Sequence, residues 1–353
     1  MVFAGQYVQL PLVVGFAGLR VDVAQFESTI LILPARARLL RRDPKGHAMR
    51  LYEMLETAAV AAALLITPDV TMVQASEPDG ARVQRGALPS GWRPSGPTCA
   101  GTSTFEIHAY NDDLYVLRES GCTNYEKPFL FLLFGRDKAL LLDTGAGHTD
   151  VARVVGGVID RWLAKNHRKN LDLVVAHTHA HDDHTSGDAQ LGALPKTTVV
   201  GTSSLAVQTF FGFKAWPTDI VTYDLGERVL DVVAIPGHEP SSIAVYDRAT
   251  GILFTGDTLY PGRLYVRDAT EFSRSVRRLV EFTRGKVVAH ILGNHIEQSR
   301  TPYLDYPVGT VYQPDEHSLE LGRAHLLELD ASLTEMGSDI RRQALRDFTI
   351  WPK

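Results

Sequence analysis

The chain has 353 residues, 44% of them hydrophobic and 22% charged, with a formal net charge of −5. That length fits one large domain with additions or two modest domains, and the mild acidity leaves no basic footprint for nucleic acid. The two cysteines, Cys99 and Cys122, cannot build a zinc knuckle or an iron–sulfur site, so any metal site rests on His and Asp.

The first 90 residues read as an atypical N-terminal extension. Met1 to Leu40 is apolar but broken by Pro11, Arg20, Asp22 and Pro34, with no run long enough to span a bilayer. A basic patch from Arg36 to Arg50, the apolar stretch "AAVAAALLI" (Ala58 to Ile66) and the small-residue spacing Val73-Gln74-Ala75 follow. Together they resemble a secretory signal at about 49–75. A start at Met49 or Met54 would bring it to the N-terminus; the alternative is a buried helix near a loose terminus. We therefore expect a periplasmic or secreted protein without a membrane span in the mature chain, with a cytoplasmic enzyme as the alternative.

Gly86 to Thr104 is rich in Pro, Gly and Ser, and we place a linker at 91–104. "FEIHAY" and "LYVLRES" flank Asn111-Asp112, which reads as a two-residue hairpin turn. In that register Tyr110 faces Asp113 and Gly101 faces Cys122, with Cys99 two positions further on. A Cys99–Cys122 bridge, which would agree with export, and two free thiols both remain open.

"FLFLLF" and "ALLLDTG" are strands, and Thr149 to Lys165 is an amphipathic helix capped by Thr149 or Asp150. "LDLVVAHTH", "TTVV", "VLDVVAIPG", "SIAVYD", "ILFTGD" and "KVVAHILGNH" are further strands. Helices are expected near Ser203–Phe211, Thr270–Phe282, Ser318–Leu333 and Asp339–Phe348. Strands followed by mixed strands and helices, twice over, predict an α/β fold with two sheets and helices outside them. The domain would run over 105–320, with 321–353 a helical extension packed on it.

The stretch "HTHAHDDHTSG", His177 to Gly187, admits more than one register of metal ligands. Five strands end in polar residues that an apolar strand does not need: Asp143, the histidine run, His238, Asp257 and His295. Polar groups at strand ends are what a site at one edge of a sheet sandwich requires. Taken singly, His238 reads as a loop histidine, Asp257 as a strand-end cap and His295 as a core histidine.

H-x-H-x-D-H in "THAHDDHTSG", then "PGH", "FTGD" and "GNH", with "LLLDTG" ahead, resembles the metallo-β-lactamase superfamily over roughly Phe105 to Glu320. The resemblance implies a four-layer αββα sandwich and a fixed register. His179, His181 and His238 would hold one metal; Asp183, His184 and His295 a second; Asp257 would bridge them. Asp182 would face away, His177 would not be a ligand, and Asp143 would orient the loop by hydrogen bonds. Two zinc ions are expected, with iron or manganese as alternatives. Imidazoles and carboxylates at about 2.0–2.2 Å are ordinary zinc ligands, and a metal pair about 3.5–4 Å apart can share a hydroxide.

The implied enzyme is a binuclear hydrolase that uses this hydroxide on an ester, thioester or amide-type bond of a small molecule, with Asp183 as a catalytic residue. "FTGDTL" and "PGHEPSSIAVYD" look closest to glyoxalase II, although the basic residues that grip glutathione there are not recognisable. Dedicated zinc β-lactamases usually lack the bridging Asp, so Asp257 argues against one, and β-lactamase-type activity stays an alternative; a mononuclear-iron persulfide dioxygenase is another. Tyr260 and Tyr265 after the bridging Asp, and Arg300 in the loop after His295, are candidates for substrate contact. No oligomeric state follows from the sequence.

Overall fold

The computed structural model describes residues 83–93 and 95–353, so the signal-like segment at 49–75 lies outside the described residues. Strands β1 (Phe105–Asn111), β2 (Leu114–Glu119), β3 (Phe129–Phe134) and β4 (Lys138–Leu142) pair antiparallel in sequence order. Helix α1 (Val151–Lys165) leads to β5 (Asp172–Ala176), parallel to β4. Short helices α2 (Asp182–Thr185) and α3 (Asp188–Gly192) precede β6 (Thr197–Val199), parallel to β5.

After α4 (Ser204–Phe211), the second sheet begins as an antiparallel run of β7 (Ile220–Asp224), β8 (Val229–Ala234), β9 (Ile243–Asp247) and β10 (Ile252–Gly256). Strand β11 (Arg263–Val266) and helix α5 (Ala269–Phe282) follow. Then β12 (His290–Gly293) pairs parallel to β10, and β13 (Glu320–Leu321) closes that edge. Helix α6 (Arg323–Met336) leads to β14 (Gln343–Ala344) and β15 (Thr349–Pro352), which form a small third sheet with β11.

The parity of each strand explains the layers. All six residues of "FLFLLF" are buried, because both faces of β3 are covered. Phe129, Phe131 and Leu133 enter a central cluster with Leu230, Val232, Ile243, Val245, Ile252 and Phe254 of the second sheet. Leu130, Leu132 and Phe134 face outward onto Val151, Val155, Val158 and Trp162 of α1. Those helix positions recur at helical spacing, and Asp150 caps the helix by accepting from Arg153 N. On the other side, Val233, Ala244, Leu253 and Ile291 pack on Phe272, Val276 and Leu279 of α5 and on Leu326, Leu329 and Leu333 of α6. Helix, sheet, sheet and helix are the four layers of an αββα sandwich.

Three expectations are corrected. The hairpin turn is Asp112-Asp113 rather than Asn111-Asp112: Asn111 pairs with Leu114, and the register shifts between Ala109 and Asn111. Asn111 Oδ1 accepts from Asp113 N at 2.9 Å, a local turn bond, and the irregularity lets Tyr110 and Leu114 both enter the central cluster. The helix expected at Asp339–Phe348 is instead the hairpin β14–β15. Its apolar residues, including Phe348 and Ile350, pack on the outer cluster while β11 offers an edge to pair with, so tertiary contacts override local propensity. The Pro-rich linker is not free chain: Trp92 is buried in the central cluster with its ring edge-on to Phe129, and Ala87 N donates to Tyr110 O.

The cysteine question has a definite answer in the structure. Cys99 and Cys122 form a disulfide, with Cα atoms 5.5 Å apart. It ties the segment after Trp92 to the turn that follows β2. Among the described residues, no helix is long and apolar enough to cross a membrane.

Candidate metal centre

Every expected ligand follows a strand of the sandwich. His179 and His181 follow β5, His238 follows β8, Asp257 directly follows β10, and His295 follows β12. Two glycines make the close approach possible. Gly237, before His238, has φ +136°, and a Cβ there would lie 2.4 Å from the Phe272 backbone. Gly256, before Asp257, has φ +54°, and its Cβ would meet Thr178 Cβ at 2.8 Å.

The side chains gather into two clusters. His179 Nε2 and His238 Nε2 lie 2.8 and 3.1 Å from His181 Nδ1. Asp183 Oδ2 lies 3.2 Å from His184 Nε2 and 3.3 Å from His295 Nε2, and those two nitrogens are 3.4 Å apart. Asp257 stands between the clusters. Its Oδ2 is 3.8 Å from His179 Nε2 and 3.6 Å from His238 Nε2, while its Oδ1 is 3.7 Å from His184 Nε2 and 3.3 Å from His295 Nε2.

These spacings fit divalent cations. Ligand atoms at about 2.0–2.1 Å in a tetrahedron stand roughly 3.3 Å from one another. Asp257 Oδ1 is also buried without a hydrogen-bond partner, an arrangement that costs free energy unless a cation meets it.

The electrostatics of the two clusters differ. Burial holds His179 well below the usual imidazole range, lowers His181, and brings His238 down to about 4, so these rings present lone pairs. Burial also opposes charge on His184 and His295. There the neighbouring carboxylates outweigh it, Asp183, Asp143 and Asp257 for His184 and Asp257 and Asp183 for His295, and raise both rings well above their ordinary value. Burial would raise Asp183 and Asp257, yet the histidines hold both carboxyls well below the usual range. The second cluster thus favours positive charge, which protons or a bound cation would supply.

A layer of hydrogen bonds orients the rings. Asp143 is fully buried at φ 68°, with Oδ1 accepting from Thr178 N at 2.7 Å. Its Oδ2 accepts from Thr178 Oγ1 at 2.8 Å and Asn294 Nδ2 at 2.5 Å, and lies 3.1 Å from His184 Nδ1. His238 Nδ1 meets the backbone carbonyl of Tyr265 at 2.8 Å, and His295 Nδ1 meets that of Glu126 at 3.0 Å. These contacts leave Nε2 of each ring facing its cluster.

Glu126 sits in the turn held by the disulfide at Cys122 and by Lys127, whose Nζ donates to Thr310 O at 2.7 Å. Cys122→Ser is therefore expected to weaken zinc at the Asp183–His184–His295 cluster by roughly 10–100-fold, the usual effect of losing a group that orients a ligand. Affinity at the other cluster should hold, as read by calorimetric titration of zinc into apo-protein. Affinity at the Asp183–His184–His295 cluster unchanged from the parent's would show that the turn keeps its place without the bridge.

The remaining sequence candidates fall in different places. His177 is buried, and its Nε2 lies 2.8 Å from Asp188 Oδ1, apart from the clusters. Asp182 is exposed. Tyr260 is buried, with its hydroxyl on Arg263 O and Glu297 Oε2. Tyr265 is half-buried, and its hydroxyl accepts from Arg263 Nε at 3.2 Å. Arg300 is exposed; its Nε donates to Glu316 O and its Nη2 to Ser90 O.

Sequence reasoning passed over Thr178, Asn294, Glu126 and Glu119. Asn294 could have been noticed as the polar residue between Gly293 and His295. Glu126 acts through its backbone carbonyl, which no side-chain identity betrays.

Glu119 is buried and accepts from Ala146 N at 2.8 Å and Thr123 Oγ1 at 3.0 Å. Burial pushes its carboxyl up to about 7, the Asp183 charge adds to this, and the two hydrogen bonds oppose it. A raised carboxyl contributes stability that is fully present below its ordinary value of 4.5 and lost as pH rises to about 7. Glu119→Gln should thus gain on the parent by on the order of 3 kcal/mol between pH 4.5 and pH 8. Urea unfolding of both proteins across that range measures it; parallel stability profiles would contradict it.

The metallo-beta-lactamase superfamily profile matches residues 128–312. The chain belongs to the metallo-beta-lactamase superfamily. It is 25% identical over 231 residues to acyl-coenzyme A thioesterase MBLAC2 of Homo sapiens, covering 55% of this chain and 82% of that protein. It is 31% identical over 145 residues to hydroxyacylglutathione hydrolase of Methylococcus capsulatus, covering 40% of this chain and 55% of that protein. Among solved structures, a metallo-beta-lactamase from Pontibacter korlensis aligns with a TM-score of 0.46 at 18% identity, covering 65% of this chain and 99% of that one.

Proposed function

We propose that the protein is a binuclear metal-dependent hydrolase of small-molecule thioesters. The observation that carries this is Asp257, whose two oxygens each face one of the two ligand clusters. His179, His181 and His238 would hold one cation, Asp183, His184 and His295 the other, with Asp257 shared. The set of imidazoles and carboxylates suits zinc and admits iron or manganese. Cations bound there would supply a hydrolytic nucleophile from water near neutral pH and polarise the scissile carbonyl.

The protein's own groups do the rest. Asp183 and His181 are the ligands with solvent access; Asp183, 21% exposed where His184 is fully buried, is the carboxylate of the two, and we assign it to orient the incoming water. Both carboxylates of the site face the ligand clusters, so neither is free to protonate a leaving group. An amine needs that proton; a thiol, with a pKa near 8.5, leaves readily as a thiolate. This favours thioesters over amides, and it accords with relatives named as an acyl-coenzyme A thioesterase and a hydroxyacylglutathione hydrolase.

The second cluster favours a metal pair over the mononuclear iron of a persulfide dioxygenase. Metal analysis with a panel of thioesters, lactones, β-lactams and phosphodiesters tests the reading. Two zinc per chain and the highest kcat/KM on a thioester are expected. A single iron per chain with oxygen consumption would sink the proposal, as would a preference for β-lactams.

We further place the protein in an oxidising compartment, periplasmic or secreted, on the support of the Cys99–Cys122 bridge. Thiol titration of the unfolded, unreduced protein taken from its native cells should find no reactive thiol; two would overturn the assignment.

A further inference from the structure

The third sheet begins at the metal centre. The carbonyl of Tyr265 in β11 holds His238 Nδ1 at 2.8 Å, and Tyr265 pairs with Trp351 of β15. Leu264, Val266 and Ile350 face the outer apolar cluster, so alternation turns Tyr265 and Trp351 to the opposite, open face. Their ring centroids are 6.2 Å apart and both residues are half-buried.

Cations crowd this pair. Lys353 Nζ lies 3.8 Å from the Tyr265 ring centroid, and Arg342 Cζ lies 3.8 Å from that of Trp351. Arg267 follows β11 directly. Arg267, Arg342 and Lys353 are exposed, and among the described residues none of them is in an ion pair. Arg263 is different, being engaged by Glu297 and the Tyr306 carbonyl. Two cations against two aromatic rings, with Arg267 just past the end of β11, thus lie beside the metal centre of a chain with net charge −5.

We infer that this face binds the nucleotide of a coenzyme A thioester, holding the leaving thiol's carrier while the acyl carbonyl lies at the metal centre. The inference rests on the thioesterase reading. Free cations match the carrier's phosphates, and an aromatic surface with mobile guanidinium and ammonium groups matches a purine ring. A glutathione carrier has carboxylates for the cations but no ring for Trp351, so the nucleotide uses more of what the face presents.

The test separates the face from the reaction. Adenosine 3′,5′-bisphosphate, which carries the nucleotide and no thioester, is titrated into the zinc-loaded full chain and followed by calorimetry. Binding is expected, weakened about tenfold or more in Trp351→Ala and comparably in the surface double variant Arg342→Ala/Lys353→Ala. In turnover, that double variant should raise KM for an acyl-coenzyme A by the same factor at unchanged kcat. KM for the matching acyl-pantetheine, which lacks the nucleotide, should not move.

If the parent does not bind the bisphosphate, the inference falls whatever the enzyme hydrolyses. It falls equally if the variants bind as the parent does, if inorganic phosphate competes as well as the bisphosphate, or if S-acyl glutathione shows the same KM change. Bisphosphate binding that the variants lose, in a protein that cleaves no thioester, would instead keep the nucleotide site and remove the thioesterase reading.

Discussion

Asp257→Asn is expected to deplete metal from both clusters at once and to lower hydrolysis by more than about 100-fold, since even a group that only orients a ligand is worth roughly 10–100-fold in affinity. The reason is its place: Oδ2 within 3.8 Å of two nitrogens of the first cluster and Oδ1 within 3.7 Å of two of the second. An amide keeps the shape but gives up the negative charge that both clusters share. His179→Ala should deplete chiefly the first cluster. Asp182→Ala, at an exposed position one residue from Asp183, should change activity less than about twofold, as expected of a surface residue. Metal content by elemental analysis beside kcat/KM reads all three variants. Comparable losses in the Asp182 and Asp257 variants would mean that the ligand register is wrong.

Asp143→Ala is expected to cost about 3–5 kcal/mol of folding stability, the scale of removing one partner from a buried charged network. Asp143 binds the end of β4 to the histidine loop through Thr178 and to the loop after β12 through Asn294. Without it, Thr178 N and Thr178 Oγ1 lose an acceptor inside the sandwich, and Asn294 Nδ2 keeps only the Phe129 carbonyl. His184 also loses the group beside its Nδ1, so zinc at the second cluster should weaken as well. Urea unfolding of metal-free protein isolates the folding term, and zinc titration reads the other. A stability loss below about 1 kcal/mol, no more than one ordinary hydrogen bond, would show that the network relaxes around the gap.

The sandwich was legible in the sequence because its central strands are covered on both faces. Continuous apolar runs such as "FLFLLF" and "ALLL" mark them, and Phe131 and Phe254 meet across the interface with ring centroids 4.6 Å apart. The site positions were legible for the complementary reason: Asp143, His238, Asp257 and His295 are polar residues that no apolar strand end needs. Their identities also carry the chemistry, since imidazole and carboxylate are metal ligands in any fold.

What only the tertiary structure decided depends on groups or partners without a sequence signature. The carbonyls of Glu126 and Tyr265 that set His295 and His238 belong to the backbone, which is alike at almost every residue. The hairpin register turned on an Asn111 side-chain bond and on burying both Tyr110 and Leu114, and a shift of one residue turns each side chain to the other face. Residues 339–348 have a helical composition, and they became a hairpin because an edge of β11 stood free to pair while the outer core accepted Phe348. A short segment lacks the hydrogen bonds to hold its own conformation in water, so its partners, and not its propensity, choose between helix and strand.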